Sequence, residues 1–319
     1  MKFGLLIQGP MLSIGRTGKT QDLPLNDPNA ISTYNCTSNI QKIINNYNNL
    51  FEEVIVSTWD DDFSKTLDFG EGVKIVKTID KGFDLPNRKG QLSNVDVINI
   101  NNQLRQYITT YEGLKLFRKS EVIIKIRTDQ YIDLQSLTRH KIDSGKIYTP
   151  YLINNMSYIP DFYFIAKKET IMELFHDLVS IYPLSSSPHI NIVLCYAISK
   201  YFSKIGVEKE YYSSGETVEK RKIFSYMFEN VFAPLPISVY SEITWRGDGF
   251  SNPYIESLYS KKYVFSDVNS PFIYSISNTP SLYEEALFKT PDGLIKKRVQ
   301  KIIRFVFLIF LKAIKRVLF

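Results

Sequence analysis

Three polar clusters in this chain each follow directly after a short apolar run. They are Gln8-Gly9-Pro10, Ser57-Thr58-Trp59-Asp60-Asp61-Asp62 and Arg127-Thr128-Asp129. Gly9 would let the backbone approach a ligand closely. An acid after the second run could accept hydrogen bonds from a base or a ribose. Arg127 could pair with a diphosphate, and Asp129 could ligate a hard divalent cation through oxygen. Each cluster also has a plainer explanation. Strand ends are polar where they enter loops, and Asp60–Asp62 suits a solvated helix start. Three clusters on one edge are less easily dismissed than one.

For the clusters to meet, the runs before them must be neighbouring parallel strands, because ligands bind beyond the carboxyl ends of such strands. Phe3–Gln8 is an apolar run closed by the turn signal Gly9-Pro10. Val54–Val56, Val73–Val76 and Val122–Ile126 predict further strands. Thr37 or Ser38 could cap a helix through about Tyr47, with Ile40, Ile43, Ile44 and Tyr47 on one face. Leu104, Tyr107, Ile108, Tyr111 and Leu114 predict a helix over Asn99–Phe117. This β-α-β order implies a largely parallel sheet with helices on both faces. Residues 11–30, rich in Gly, Pro, Asn and Asp, read as a long loop. Beyond them, Phe162–Ala166 predicts a strand, and Glu169–Leu178, Ile190–Ile205 and Val218–Met227 predict helices. Residues 233–280 read as loops with short strands. The expected organisation is one α/β domain over 1–292 with a helix appended over 293–319.

Several chemistries are excluded. Gly15-Arg16-Thr17-Gly18-Lys19-Thr20 contains the GKT of a phosphate loop, but Ser13 stands where its first glycine belongs. Pro24 and Pro28 break the helix that should follow. Gly9, Gly15 and Gly18 do not form a dinucleotide fingerprint. His140, His176 and His189 lack partners at zinc-ligand spacing. No GxSxG elbow is present. Cys36 and Cys195 cannot make a disulfide framework.

The formal charge is +6, which first suggests a polyanion partner. Its location says otherwise. Gly293–Phe319 carries eight basic residues and no Asp or Glu, which leaves residues 1–292 at −2. At roughly 100° per residue, the basic side chains gather on one side of a helix, with Lys296 the outlier. Ile295, Val299, Ile302, Ile303, Val306, Phe310, Ala313, Ile314 and Val317 take the other. The apolar centre, Phe305–Leu311, is far shorter than the roughly 20 residues of a spanning helix. The pattern fits a helix lying in a membrane interface against anionic headgroups. A terminal helix docked on the body with a solvated basic face is the plainer alternative. Nucleic acid is disfavoured, because it would leave the large apolar face in water. Phe3–Ile7 is too short for the apolar core of a secretory signal. The expectation is a cytoplasmic protein, peripheral on the cytoplasmic face of the inner membrane.

LLIQGP at the amino terminus, VIVSTWDDD after the second strand, NINNQ at the long helix, IIKIRTDQ and the later PDFYFIAKK follow one another in order. Together they resemble the WavE lipopolysaccharide-synthesis family, over roughly residues 1–200. The resemblance implies a GT-A-like (Rossmann-like) glycosyltransferase fold. It also implies a nucleotide-sugar donor and a lipid-linked saccharide or lipopolysaccharide/capsule acceptor. By that resemblance Gln8, Gly9 and Pro10 contact the nucleotide, and Ser57, Thr58, Trp59 and Asp60 lie near the base. Asn101 and Gln103 reach the sugar or phosphates, and Asp129 takes the place of the DxD acid that holds a metal–diphosphate. The implied cofactor is a divalent metal, Mn2+ or Mg2+. One departure matters: Arg127 stands where a DxD has its first acid. The second ligand would be Asp133 or Asp161, or Arg127 would replace part of the metal's charge.

Glycosyl transfer must stabilise charge on a leaving diphosphate. An inverting reaction must also take a proton from the acceptor hydroxyl. Arg127 and Asp129 answer the first demand. For the second, Asp161 leads, ahead of His189 and Asp248. His189 equally suits a helix-start histidine with a local hydrogen bond. Asp248 lies in Trp245-Arg246-Gly247-Asp248-Gly249, which reads as a mobile loop able to close over a sugar. Two rivals stand beside this reading. One is a nucleotide-dependent sugar- or polyol-phosphate transferase, and the other a non-catalytic membrane-recruited assembly factor.

Overall fold

The computed structural model describes residues 1–20, 23, 27–80, 94–139, 142, 145–149, 163–181, 231–234, 243–249, 265–267 and 270–273. Asp161, His189, the expected helices Ile190–Ile205 and Val218–Met227, and the basic segment 293–319 lie outside them. In chain order the strands are β1 (Phe3–Gln8), β2 (Leu12–Gly15), β3 (Ser32–Asn35), β4 (Glu53–Trp59), β5 (Val73–Thr78), β6 (Val122–Arg127), β7 (Gln130–Tyr131), β8 (Ile147–Thr149), β9 (Tyr163–Lys167), β10 (Phe232–Pro234), β11 (Thr244–Trp245), β12 (Asp248–Gly249), β13 (Phe265–Asp267) and β14 (Ser270–Ile273). The helices are α1 (Cys36–Tyr47), α2 (Asn94–Leu114), α3 (Leu134–Thr138) and α4 (Lys168–Ile181).

Seven strands form one sheet in the order β10-β8-β9-β6-β1-β4-β5. β1 lies between β4 and β6, parallel to both, and β5 is parallel to β4. β9 alone runs against its neighbours. Helices cover both faces, so the expected mostly parallel α/β sheet is the one observed. β1 reads as a continuous apolar run because both of its faces are buried. Leu5, Ile7, Val54, Val56, Ile124 and Ile126 pack against Ile40, Ile43 and Ile44 of α1. On the opposite face α2 packs on β1, β4 and α4, with Phe175 of α4 edge-on to Tyr107 of α2 and Phe164 of β9. α2 can lie this close because Gly113 has no side chain. A Cβ there would sit 2.6 Å from Leu6 and 2.9 Å from Ser57.

Three expectations are corrected. The cap of α1 is Asn35, whose side chain accepts from the Thr37 backbone N–H at 2.9 Å, rather than Thr37 or Ser38. α2 begins at Asn94, five residues earlier than its apolar spacing indicates. The supposed loop over 11–30 contains β2, paired antiparallel to β3. Its alternation is inverted, with Ser13 buried and Ile14 64% exposed. The reason for that inversion is the polar group Ser13 faces.

Candidate functional site

The register places Gln8 between Ser57 and Arg127, so the three clusters do share the carboxyl edge of the sheet. The backbone stitches them together. Gly9 donates to the Ser57 carbonyl at 3.1 Å, and Thr128 donates to the Gln8 carbonyl at 3.0 Å. The Thr128 hydroxyl donates to the Pro10 carbonyl at 2.8 Å. Gly9 has φ +145°, and a Cβ on it would meet the Thr128 hydroxyl at 2.5 Å. The glycine is therefore required by this junction of strands. From α1, Asn39 Nδ2 donates to the carbonyls of Thr128 (2.8 Å) and Gln130 (2.7 Å), fixing the turn that carries Asp129.

Asp129 is the centre of the edge and is only 1% exposed. Arg127 grips it bidentately, Nε to Oδ1 at 2.8 Å and Nη2 to Oδ2 at 2.9 Å. Oδ2 also accepts from the Ser13 hydroxyl at 2.9 Å and from the Trp245 indole N–H at 3.2 Å. Arg246 Nε lies 3.4 Å from the same oxygen and donates to Ser13 Oγ at 2.9 Å. Burial alone would raise the Asp129 carboxyl. The charge and hydrogen bonds of Arg127, the charge of Arg246 and the Ser13 hydroxyl outweigh it, holding the group well below the usual carboxylate range. Nearby Cys36 goes the other way. Burial, reinforced by the Asp129 charge, pushes its thiol up to about 12, so it is no nucleophile at neutral pH.

Trp245 and Arg246 arrive from far along the chain. β11 pairs antiparallel with β7, setting Trp245 opposite Gln130, and with β12, setting Trp245 opposite Asp248. Arg246 (φ +50°) and Gly247 (φ +82°) form the two-residue turn. Positive φ at both positions is the hairpin geometry that matches strand twist. At a non-glycine residue it costs about 1 kcal/mol. Besides Ser13 and the Asp129 carboxylate, further contacts hold Arg246 there: its N–H donates to the Asp129 carbonyl at 2.8 Å, its Nη1 to the Arg16 carbonyl, and its guanidinium lies 4.6 Å from the Trp245 ring centre. The Arg127 guanidinium lies 6.0 Å from that ring. The rejected phosphate-loop sequence serves as the hairpin's shelf. Gly18 donates to the Trp245 carbonyl at 3.1 Å, and Lys19 pairs with Asp248 at 3.1 Å. The segment expected to be a mobile loop is thus a docked hairpin.

The remaining predicted residues separate into groups. Gln8 points at α2, where its Nε2 donates to the Thr109 hydroxyl at 2.9 Å while its buried Oε1 has no partner. Ser57 also faces α2, donating to the Thr109 carbonyl at 2.6 Å. Thr58 is fully buried, with its hydroxyl unpartnered. Trp59 is half-buried, and Asp60 is exposed beside β5, its N–H donating to the Thr78 carbonyl at 2.9 Å. Asn101 and Gln103 are half-buried on α2, and Asn101 Oδ1 is buried without a partner. Asp248 is bound by the Thr17 hydroxyl and Lys19, which hold it below the usual carboxylate range.

A divalent cation does not fit at Asp129. Both carboxylate oxygens are taken by N–H and O–H donors, and two guanidiniums flank them. Asp133, the other described candidate ligand, caps α3 through the Gln135 N–H and the Ser136 hydroxyl. Among the described residues no three His, Cys, Asp or Glu are grouped to hold a metal. Ser13 and Arg246 are the site residues that sequence reasoning gave no role. The paired Arg-Gly turn followed by Asp-Gly was the one local signal available.

No protein-family profile matches this chain, and no curated protein does. Among solved structures it is similar to the galactosyltransferase LgtC in complex with donor and acceptor sugar analogues. That match has 10% identity, 72% of this chain, 73% of that one and a TM-score of 0.35. An active-site mutant of LgtC matches with the same identity and TM-score over 72% of each chain. It is also similar to 4-diphosphocytidyl-2C-methyl-D-erythritol synthase from Anaerococcus prevotii, with 12% identity, 65% of this chain, 85% of that one and a TM-score of 0.28. The superpositions are loose, and the chemistry of the edge rests on its own side chains.

Proposed function

We propose that this chain is a glycosyltransferase that moves a sugar from a nucleotide-sugar donor to a saccharide acceptor. The observation that carries the reading is the carboxyl edge itself. Three adjacent parallel strands end in polar clusters that are stitched into one surface, and Arg127 stands at its centre beside Gln8. Open α/β sheets bind nucleotides at such an edge. The orphaned acceptors Gln8 Oε1 and Asn101 Oδ1 suit a donor-bearing base or sugar. Charge growing on the leaving phosphate falls to guanidinium at this edge. The acceptor proton falls to a base from another segment, for which Asp161 is the leading candidate.

The resemblance to the WavE family refines the proposal. The acceptor is then a lipid-linked saccharide, lipopolysaccharide or capsule chain, and 293–319 is a basic amphipathic helix that holds the 1–292 domain on the cytoplasmic face of the inner membrane. A thermal-shift panel of UDP, GDP, CMP and CDP, each with and without Mn2+, tests the core of it. Stabilisation by one nucleotide is expected, and none by any would leave the assembly-factor reading. Phosphorus in the transferred group would instead indicate the sugar- or polyol-phosphate transferase. Deleting 293–319 should release the protein from vesicles containing anionic lipid while a soluble acceptor is still used. Continued sedimentation with the vesicles would remove the tail from the proposal.

A further inference from the structure

We propose that the guanidiniums of Arg127 and Arg246 take the donor's diphosphate where other transferases of this fold use a divalent cation, and that Asp129 is their positioning residue. The inference rests on the nucleotide-sugar reading above. A metal-binding aspartate must present an oxygen to the cation, and Asp129 presents none, being 1% exposed and surrounded by donors. The positive charge a diphosphate needs is already at the same place. Arg127 and Arg246 come to one carboxylate from positions 127 and 246, and Trp245 lies against both guanidiniums. Guanidinium stays charged at any working pH and matches phosphate oxygens with a planar fork. A dication brought between the two would be repelled by both.

The fork on Asp129 also fixes where Arg127 can point. Its Nε and Nη2 are committed to the carboxylate, and its side chain remains 21% exposed. Arg246 is held more tightly, 9% exposed, by the hairpin turn and Ser13. Asp129 thus sets the direction of both cations without itself reaching a ligand. Ser13 and the 15–20 shelf hold the second cation in place. This gives the inverted alternation of β2 a purpose.

The test is calorimetric titration of the full-length protein with UDP, GDP and CDP, each against UMP, GMP and CMP, in EDTA and again with Mn2+. Expected is diphosphate binding that changes by less than about twofold between EDTA and Mn2+. Arg127→Ala and Arg246→Gly should each weaken the diphosphate by about tenfold or more while changing the monophosphate far less. Arg246→Gly suits the turn's positive φ and keeps the backbone bond to the Asp129 carbonyl, while removing the cation and its side-chain bonds to Ser13 and Arg16. Arg127→Lys keeps the charge and loses the fork, and should give an intermediate loss. Asp129→Asn should erode the preference for diphosphate over monophosphate, a readout that simple destabilisation would not move. Diphosphate binding that EDTA abolishes and Mn2+ restores would overturn the inference and leave the transferase reading standing. A monophosphate that binds as tightly as its diphosphate would do the same. Absence of any nucleotide binding would overturn the transferase reading itself.

Discussion

Two buried carboxylates sit at opposite ends of the same sheet, and they are satisfied in opposite ways. Glu53, at the amino end of β4, accepts the backbone N–H groups of Arg118, Lys119 and Ser120, the Ser120 hydroxyl and the Lys74 ammonium. Three of these donors are consecutive main-chain groups between α2 and β6, which cannot turn elsewhere without unmaking the loop. Asp129, at the carboxyl end, is satisfied by side chains from β2, β6 and the β11–β12 hairpin, two of them cations. A carboxylate held by fixed backbone donors closes a loop. One held by long cationic side chains orients them. The difference separates the structural end of this sheet from its chemical end.

The sharpest way to break this comparison is to neutralise both acids in nearly isosteric form. Asp129→Asn should lower turnover by about a hundredfold or more, since it removes the charge that aims two guanidiniums at the reacting edge. Glu53→Gln should leave turnover within about twofold when assayed well below its melting temperature. Equal losses in steady-state turnover would show that the two ends are not functionally distinct.

Glu53 should instead show itself in the pH dependence of stability. Burial works against the Glu53 charge, but the N–H groups of Lys119 and Arg118, the Lys74 ammonium and the Ser120 hydroxyl lower the carboxyl from 4.5 to about 2. A depressed folded-state value means the stabilisation is complete above the unfolded value. It is lost as pH falls from about 4.5 towards about 2. Glu53→Gln should therefore cost about 3 kcal/mol at neutral pH, and progressively less as pH falls through that window. Chemical denaturation at several pH values measures it. A cost independent of pH would mean that the carboxylate is not ionised in the fold.

The same contrast explains what was legible in the sequence. β1 was read to the residue because a doubly buried parallel strand is a bare apolar run with a turn signal after it. α1 and α2 were read from their Ile, Leu and Tyr spacing, though the start of α2 was placed late because Asn94–Asn99 lacks a clear apolar face. β2 was missed because its inward residue is Ser13, which only Asp129 explains. Arg246 meets Ser13 across 233 positions of chain, a contact that no periodicity or short motif encodes. The clusters at the three strand ends were visible because strand ends are local. The cationic pair was not, because one member comes from a hairpin whose sequence reads as loop. The enclosure of Asp129 was hidden for the same reason: Ser13, Trp245 and Arg246 lie outside any local window around it.

A finer test concerns which acids at the chemical end are free to move protons. Asp248 stands close to the network but is engaged by the Thr17 hydroxyl and by Lys19, and is 30% exposed. These partners favour its ionised form and weaken it as a proton acceptor near neutral pH. The pair with Lys19 is half in water, where such bridges contribute at most about 1 kcal/mol. Asp248→Asn should thus change turnover by less than about threefold and stability by less than about 1 kcal/mol. Asp161→Asn should lower turnover while leaving nucleotide affinity nearly unchanged. Steady-state rates and nucleotide titrations on both variants decide the matter. A collapse of turnover in Asp248→Asn with nucleotide affinity intact would move the base onto the hairpin, making it a catalytic element as well as the carrier of the second guanidinium.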